Sequence, residues 1–266
     1  MIKQAILSHL PTNHPWADKL QYFDTIDSTN THAKKLAAAG AAHGTVLIAG
    51  HQTGGRGRMG RSFHSPQAHG VYLSVILRPQ CPGTALMHLT CAAGTAMCDA
   101  VAQAAGFRPG IKWINDLVYQ GKKLGGILTE LGFDPKTGLV SYSVVGIGIN
   151  CSQTRADFPP EIRDMAGSLS MMAGRPISPA ETAAAMIQAL CSMDQKLLTE
   201  KPAIMDCYRA DCVTIGREVQ VLSDPIRSGT ALDVDDDGAL LIRFADGTTE
   251  TVNAGEVSVR GMYGYV

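Results

Sequence analysis

Three arginines stand among glycines in Gly55-Arg-Gly-Arg-Met-Gly-Arg61. Guanidinium groups pair bidentately with carboxylate or phosphate, and the glycines let the backbone bend closely around a ligand. A small, densely anionic ligand suits such a loop; so does a solvated basic loop, or one that touches RNA. The segment also spells G-x-G-x-x-G, but a dinucleotide-binding turn must open a helix and be followed by an acid about 20 residues on. Here Ser62-Phe-His-Ser-Pro66 leads to another apolar run and the next acid is Asp99, which excludes a Rossmann turn. Two further stretches carry chemistry. Lys112-Trp-Ile-Asn-Asp116 and Lys122-Lys-Leu-Gly-Gly126 place an amide, a carboxylate and ammonium groups at a strand end and in a hairpin, where they can converge. Val144-Val-Gly-Ile-Gly-Ile-Asn150 reads as a strand whose Gly146 and Gly148 leave room for a ligand or another backbone, with tight packing as the competing explanation.

These groups need elements to hold them. Asp27 and Ser28 are cap residues for a short helix over Asn30–Ala39, so Ser28-Thr-Asn30 sits at a helix N-terminus. Thr45–Ala49 and Val71–Leu77 read as buried strands flanking the arginine–glycine loop. An Ala-rich core helix is expected over Thr84–Ala105, then strands at Ile111–Asn115, Gly126–Glu130 and Val140–Asn150, with Asp116–Lys123 as a connection. Asn150–Gly174 is a long connection holding a short helix. Ser178-Pro-Ala-Glu181 has capping-box spacing and opens a helix to about Glu200. Beyond Ile215 the pattern becomes short strands at Glu218–Leu222, Gly229–Val234, Leu240–Phe244, Thr249–Val252 and Val257–Arg260, separated by Asp/Gly turns, as in a small β-barrel. The expected fold is α+β, a mixed sheet with helices over residues 1–210 and a small barrel over 211–266.

The 266 residues carry 23 Lys+Arg and 24 Asp+Glu, a net charge of −1 that argues against a generally polyanionic partner such as bulk DNA or an acidic membrane. The distribution is uneven. Ser28–Cys98 holds six Lys/Arg and no acid, whereas Asp211–Glu250 holds nine acids against three arginines. Seven cysteines without a C-x-x-C pair give neither metal-ligand spacing nor a disulfide framework. There is no uninterrupted run of 18 apolar residues and no signal-peptide pattern, so a reducing cytoplasm is the expected compartment and no membrane is expected as a partner.

Taken in order, Ser28-Thr-Asn30, Gln52 with the arginine–glycine loop, Lys112–Asp116, Lys123-Leu-Gly-Gly126 and Gly146-Ile-Gly-Ile-Asn150 resemble the motif set of biotin protein ligases. Ile114 stands where that family often has Pro, and Met59 where Arg is common. The resemblance implies a biotin/lipoate ligase-like catalytic domain with a C-terminal SH3-like barrel. It also implies ATP-dependent biotinylation of a lysine in a biotin carboxyl carrier domain, of acetyl-CoA carboxylase or another biotin-dependent carboxylase, through biotinyl-5′-AMP. Biotin, ATP and Mg²⁺ are the implied ligands. Arg58 and Lys123 would be catalytic. Ser28, Thr29, Asn30, Gln52, Arg56, Gly57, Arg58, Lys123, Gly126, Gly146 and Gly148 would bind biotin. Arg58, Arg61, Trp113, Asn115, Asp116, Lys123 and Asn150 would bind ATP or the adenylate, with Mg²⁺ near Asp116. The catalytic pattern starts by about residue 22, so no DNA-binding domain or repressor role is expected; monomer and homodimer are both compatible with the sequence. Lipoate ligases and octanoyltransferases share the fold, the latter with a cysteine nucleophile for which Cys151 is the candidate. A non-catalytic RNA-binding module is the alternative of another class, disfavoured because the basic residues lack interleaved aromatics.

Overall fold

The computed structural model describes residues 2–67, 69–222, 225–253 and, as backbone, 259–261. Its centre is a seven-stranded mixed sheet in the order β1-β2-β3-β7-β6-β5-β4. The strands are β1 (Leu20–Phe23), β2 (Thr45–Ala49), β3 (Gly70–Leu77), β4 (Gly110–Lys112), β5 (Asp116–Tyr119), β6 (Lys122–Phe133) and β7 (Val140–Asn150). Only β1 and β2 pair in parallel; the other neighbours are antiparallel. Both faces of the central strands are covered, which is why β2 and β3 are buried at every position instead of alternating. Leu47, Ile76 and Val144 face Ala33 and Ala37 of α2 (Thr29–Ala38). Val46, Ile48, Val75, Val145 and Ile147 belong to the larger core on the opposite side, with α3 (Leu89–Ala105) and α5 (Pro179–Lys196).

The local signals that place these helices are intact. Ser28 caps α2 by accepting from Thr31 N, Gly106 closes α3 at φ 81°, and Ser178 accepts from Glu181 N with Pro179 in the first turn of α5. The expected helix from Thr84 is instead a 3₁₀ turn at Gly83–Leu86 followed by α3. Gly83–Ala105 is long and apolar enough to cross a membrane, yet 67% of its apolar 18-residue window is buried within the protein, as a core helix requires. Asp116–Lys123, expected as a connection, is β5, a tight turn and the start of β6. The turn residues Gln120 and Gly121 both have positive φ (49° and 72°), the backbone of a two-residue type I′ hairpin. Three elements were not expected at all: α1 (Ile2–Ser8), β1, and α6 (Lys201–Asp211). The short helix within the long connection is α4 (Leu169–Ala173).

The C-terminal strands β8 (Glu218–Val221), β9 (Arg227–Val234), β10 (Leu240–Phe244), β11 (Thr249–Val252) and β12 (Val259–Gly261) form an antiparallel sheet in the order β11-β10-β9-β8-β12. Val257 and Ser258 of the expected last strand lie outside the described residues. Val219, Val221, Ala231, Val234, Leu240, Ile242 and Phe244 point inward and join the main hydrophobic core. The junction is also polar and specific. Trp113 donates its indole N–H to Gly238 O (2.9 Å) and its backbone N–H to Thr214 Oγ1 (2.9 Å), and Arg209 Nε donates to Val234 O (2.7 Å).

Candidate active site

Antiparallel pairing of β3, β7 and β6 puts Ser74 opposite Gly146 and Gly146 opposite Leu128, and the N-terminus of α2 sits over this point. The result is a polar patch inside an apolar sheet. Ser74, buried in the run VYLSVIL, donates to Asn30 Oδ1 at 2.6 Å and lies 2.8 Å from Thr29 Oγ1. Asn30 Nδ2 donates to Leu128 O (3.1 Å) and Glu130 Oε2 (3.1 Å), and Thr29 donates through both N–H and Oγ1 to Gln52 Oε1 (2.9 and 3.1 Å). Gln52 Nε2 in turn donates to Ser65 Oγ at 3.0 Å. Gly146 is glycine because of this packing: a Cβ there would lie 1.7 Å from Asn30 Oδ1. At Gly148 a Cβ would lie 2.5 Å from the Phe63 ring. The close neighbours of both glycines are thus side chains of the protein itself.

The rim is cationic. The arginine–glycine loop joins β2 to β3, as the Rossmann exclusion requires, and closes on itself through Gly57 N–H to Arg61 O (2.7 Å) and an Arg56–Ser62 bridge. Met59 and Gly60 both have positive φ (54° and 72°). Although the loop contains no acid, strands β5 and β6 supply carboxylates beside it. Arg56 Nη1 lies 3.3 Å from both oxygens of Glu130, whose Oε1 also receives Lys34 Nζ at 2.8 Å. Burial alone would raise the Glu130 carboxyl; hydrogen bonds from Lys34 and Asn30 and the charge of Arg56 outweigh it and hold the group below the usual range. Arg58 Nη1 donates to Asn115 Oδ1 (3.3 Å), and Asn115 Nδ2 to Ile127 O (3.0 Å). Lys123 Nζ pairs with Asp116 Oδ1 at 2.7 Å across the β5–β6 hairpin. Burial lowers the affinity of Arg58 for its proton while Asp116 opposes that shift. A partly buried guanidinium of this kind interacts more strongly with a developing negative charge than one in open water.

Ser28, Thr29, Asn30, Gln52, Arg56, Gly57, Arg58, Lys123, Gly126, Gly146 and Gly148 all line one cavity, together with Arg61, Asn115 and Asp116. Asn150 lies in an adjoining cavity, which shares Ser62, Phe63 and Lys123 with the first and is walled by His64, Phe158, Ile162, Met165 and Ala166. Trp113 does not join them: its side chain is buried against the C-terminal sheet, through the Gly238 contact described above. Cys151 is buried, contacts Ile177 O and Thr182 Oγ1, and has its thiol pushed up to about 11 by burial, the opposite of an activated nucleophile. Phe63, Ser65, Ser74 and Glu130 were missed. A serine interrupting an otherwise apolar strand is the one signal that could have found Ser74; the roles of Glu130 and Ser65 depend on register. Among the described residues no group of three His, Cys, Asp or Glu is placed to hold a metal ion.

Two adjoining cavities, the first floored by glycine strands and rimmed by converging cations, form a site suited to anionic small molecules. Residues 22–150 match the biotin/lipoate A/B protein ligase family, and residues 214–260 the biotin protein ligase C-terminal domain. The chain is 35% identical over 237 residues to a bifunctional ligase/repressor BirA of Bacillus subtilis, covering 88% of this chain and 72% of that protein. It is 35% identical over 239 residues to a biotin–[acetyl-CoA-carboxylase] ligase of Mycobacterium tuberculosis, covering 86% and 85%. Among solved structures, the biotin protein ligase of Aquifex aeolicus in complex with biotin and ATP superposes with a TM-score of 0.77 at 28% identity, covering 91% of this chain and 98% of that one. The chain belongs to the biotin protein ligase family.

Proposed function

We propose that the protein activates biotin with ATP and transfers the biotinyl group to a lysine of a biotin carboxyl carrier domain. The observation that carries this reading is the meeting of two adjoining cavities at Lys123, with Arg58 and Asp116 beside it. In the first step a biotin carboxylate oxygen attacks the α-phosphorus of ATP, the bond to the bridging oxygen breaks and pyrophosphate leaves. Two anions must approach, and Arg58 and Lys123 offset the charge that develops between them. In the second step the carrier lysine's amine attacks the acyl carbon of biotinyl-5′-AMP, AMP leaves and the amine loses a proton. Asp116, already within hydrogen-bond reach of one ammonium group, is suited to orient the incoming amine.

Ser28 and Gln52 offer hydrogen-bonding groups to the neutral ureido ring, and backbone groups of Arg56–Arg58 complete its surroundings. The apolar wall of Phe158, Ile162 and Met165 beside Asn150 suits a purine, which leaves Asn115, Asp116 and Arg61 on the phosphate side. Mg²⁺ typically binds through one or two carboxylates plus substrate phosphates, and Asp116 is the carboxylate in the cavity. This fits an ion carried in with the nucleotide. Incubating the protein with biotin, ATP and an isolated carrier domain is expected to add one biotinyl mass to the carrier, read by mass spectrometry. An unmodified carrier, or modification by lipoate but not biotin, would overturn the reading.

A further inference from the structure

Asn150 ends β7 and lines the second cavity beside Phe158, Ile162 and Met165. Both ends of its amide are engaged. Asn150 Nδ2 donates to Gly167 O at 2.9 Å, and because a carbonyl can only accept, the nitrogen must face that way. The oxygen is thereby turned toward Gln153, whose Nε2 donates to it at 3.3 Å. Gln153 is 1% exposed, and its own Oε1, at the end of this chain of amides, has no hydrogen-bond partner among the described residues. Turning the Gln153 amide over would set oxygen against oxygen at Asn150, so the orphan acceptor follows from the single orientation in which Asn150 is held. A buried apolar side chain of the same length would leave no such orphan, which makes Gln153 a poor residue for stability alone.

An amide has two N–H bonds and two oxygen lone pairs; at Asn150 one of each is used within the protein and one of each is left. Adenine presents the complement, an amino donor beside a ring-nitrogen acceptor, whereas a 6-oxopurine presents oxygen where the amino group would be. Resting on the function proposed above, we propose that Gln153 is a positioning residue for nucleotide choice: by holding the Asn150 amide in one orientation it makes the site prefer a 6-aminopurine triphosphate to a 6-oxopurine one. Biotin-dependent pyrophosphate release with ATP and with ITP tests this in the wild type, Gln153→Met, Gln153→Leu, Asn150→Ser and the Asn150→Ser/Gln153→Met double variant. The wild type should favour ATP in kcat/KM, and that preference should fall about fivefold or more in both Gln153 variants, the low end of what a bidentate amide–adenine contact discriminates. The loss should come from a raised KM for ATP, with kcat little changed. The double variant should discriminate no worse than Asn150→Ser, since Gln153 acts through that amide. Ser168→Ala is the structural control: it removes the 2.6 Å bond from Ser168 Oγ to Gln153 O and the cap of α4, so it should lower the melting temperature and leave the ATP preference unchanged. A wild type indifferent to the base, an unchanged preference in the Gln153 variants, an equal loss in Ser168→Ala, a double variant that discriminates worse than Asn150→Ser, or failure of both Gln153 variants to fold would overturn the inference. A wild type without biotin-dependent pyrophosphate release from either nucleotide would instead defeat the proposed function.

Discussion

Two regions of this chain carry equal and opposite charge and use it differently. The acid-free stretch Ser28–Cys98 sends three of its six cations to one place: Arg56, Arg58 and Arg61 reach the cavity. Their counter-charges, Glu130 and Asp116, come from strands elsewhere in the chain. The acidic C-terminal region spends its carboxylates locally. Asp235 accepts from Asp237 N and Ala239 N, and Asp246 from Thr248 N, closing the turns between strands. Asp236 and Asp237 pair with Arg209 and Lys201 of α6 across the junction, and Arg227 pairs with Glu250 within the sheet. In the first region charge converges on a cavity. In the second it closes turns and ties strands and the α6 junction together at the surface.

This contrast can be broken in four ways, in falling order of effect. Lys123→Ala and Arg58→Ala should remain folded but lose about a hundredfold in biotinyl-AMP formation, the usual cost of removing one aimed charge; wild-type rates in either variant would remove that residue from the chemistry. Gly146→Ala forces a methyl group against Asn30. It should cost about 1–3 kcal/mol of stability and raise KM for biotin, seen by thermal denaturation and pyrophosphate release, and a neutral outcome would show that the Asn30 network is soft. Trp113→Phe leaves Gly238 O without its donor and should cost about 1–3 kcal/mol with little change in KM for ATP; a raised KM without loss of stability would return Trp113 to the nucleotide site. Asp236→Asn should do least, a small drop in melting temperature that vanishes at high salt and no change in kcat. A large kinetic effect there would mean that the acidic region takes part in catalysis.

The candidate site was legible because glycine, arginine and lysine in a closely spaced order have few other uses, and because α2 and the central strands follow their local signals. What escaped notice depends on partners far along the chain. Trp113 stands beside Asn115 in sequence, but its indole meets Gly238, in a turn that only the C-terminal sheet brings near. β5 was hidden because its turn is Gln120-Gly121 instead of the usual Asn-Gly, a weaker hairpin signal with the same backbone shape. α5 ends at Lys196, short of the expected Glu200, and α6 begins at Lys201 with Pro202 in its first turn, so in sequence α6 reads as the frayed end of α5. α1 and β1 have seven and four residues, too few for a periodicity to register. Glu130 could be assigned no role until the β6–β7 register placed it beside Asn30.

The fullness of the sheet beneath the cavity bears on attempts to redesign the protein for other acids. Gly146 and Gly148 already have neighbours where a methyl group would go, and Gly125 would meet the carbonyl of Gly148 at 2.5 Å. No side chain can be trimmed from a glycine, so the floor cannot be hollowed out to admit a bulkier ring. Room for an altered substrate must come from above, by shortening or opening the segment that carries Arg56, Arg58 and Arg61. Variants selected for biotin analogues should therefore gather on the movable roof and leave the strands unchanged.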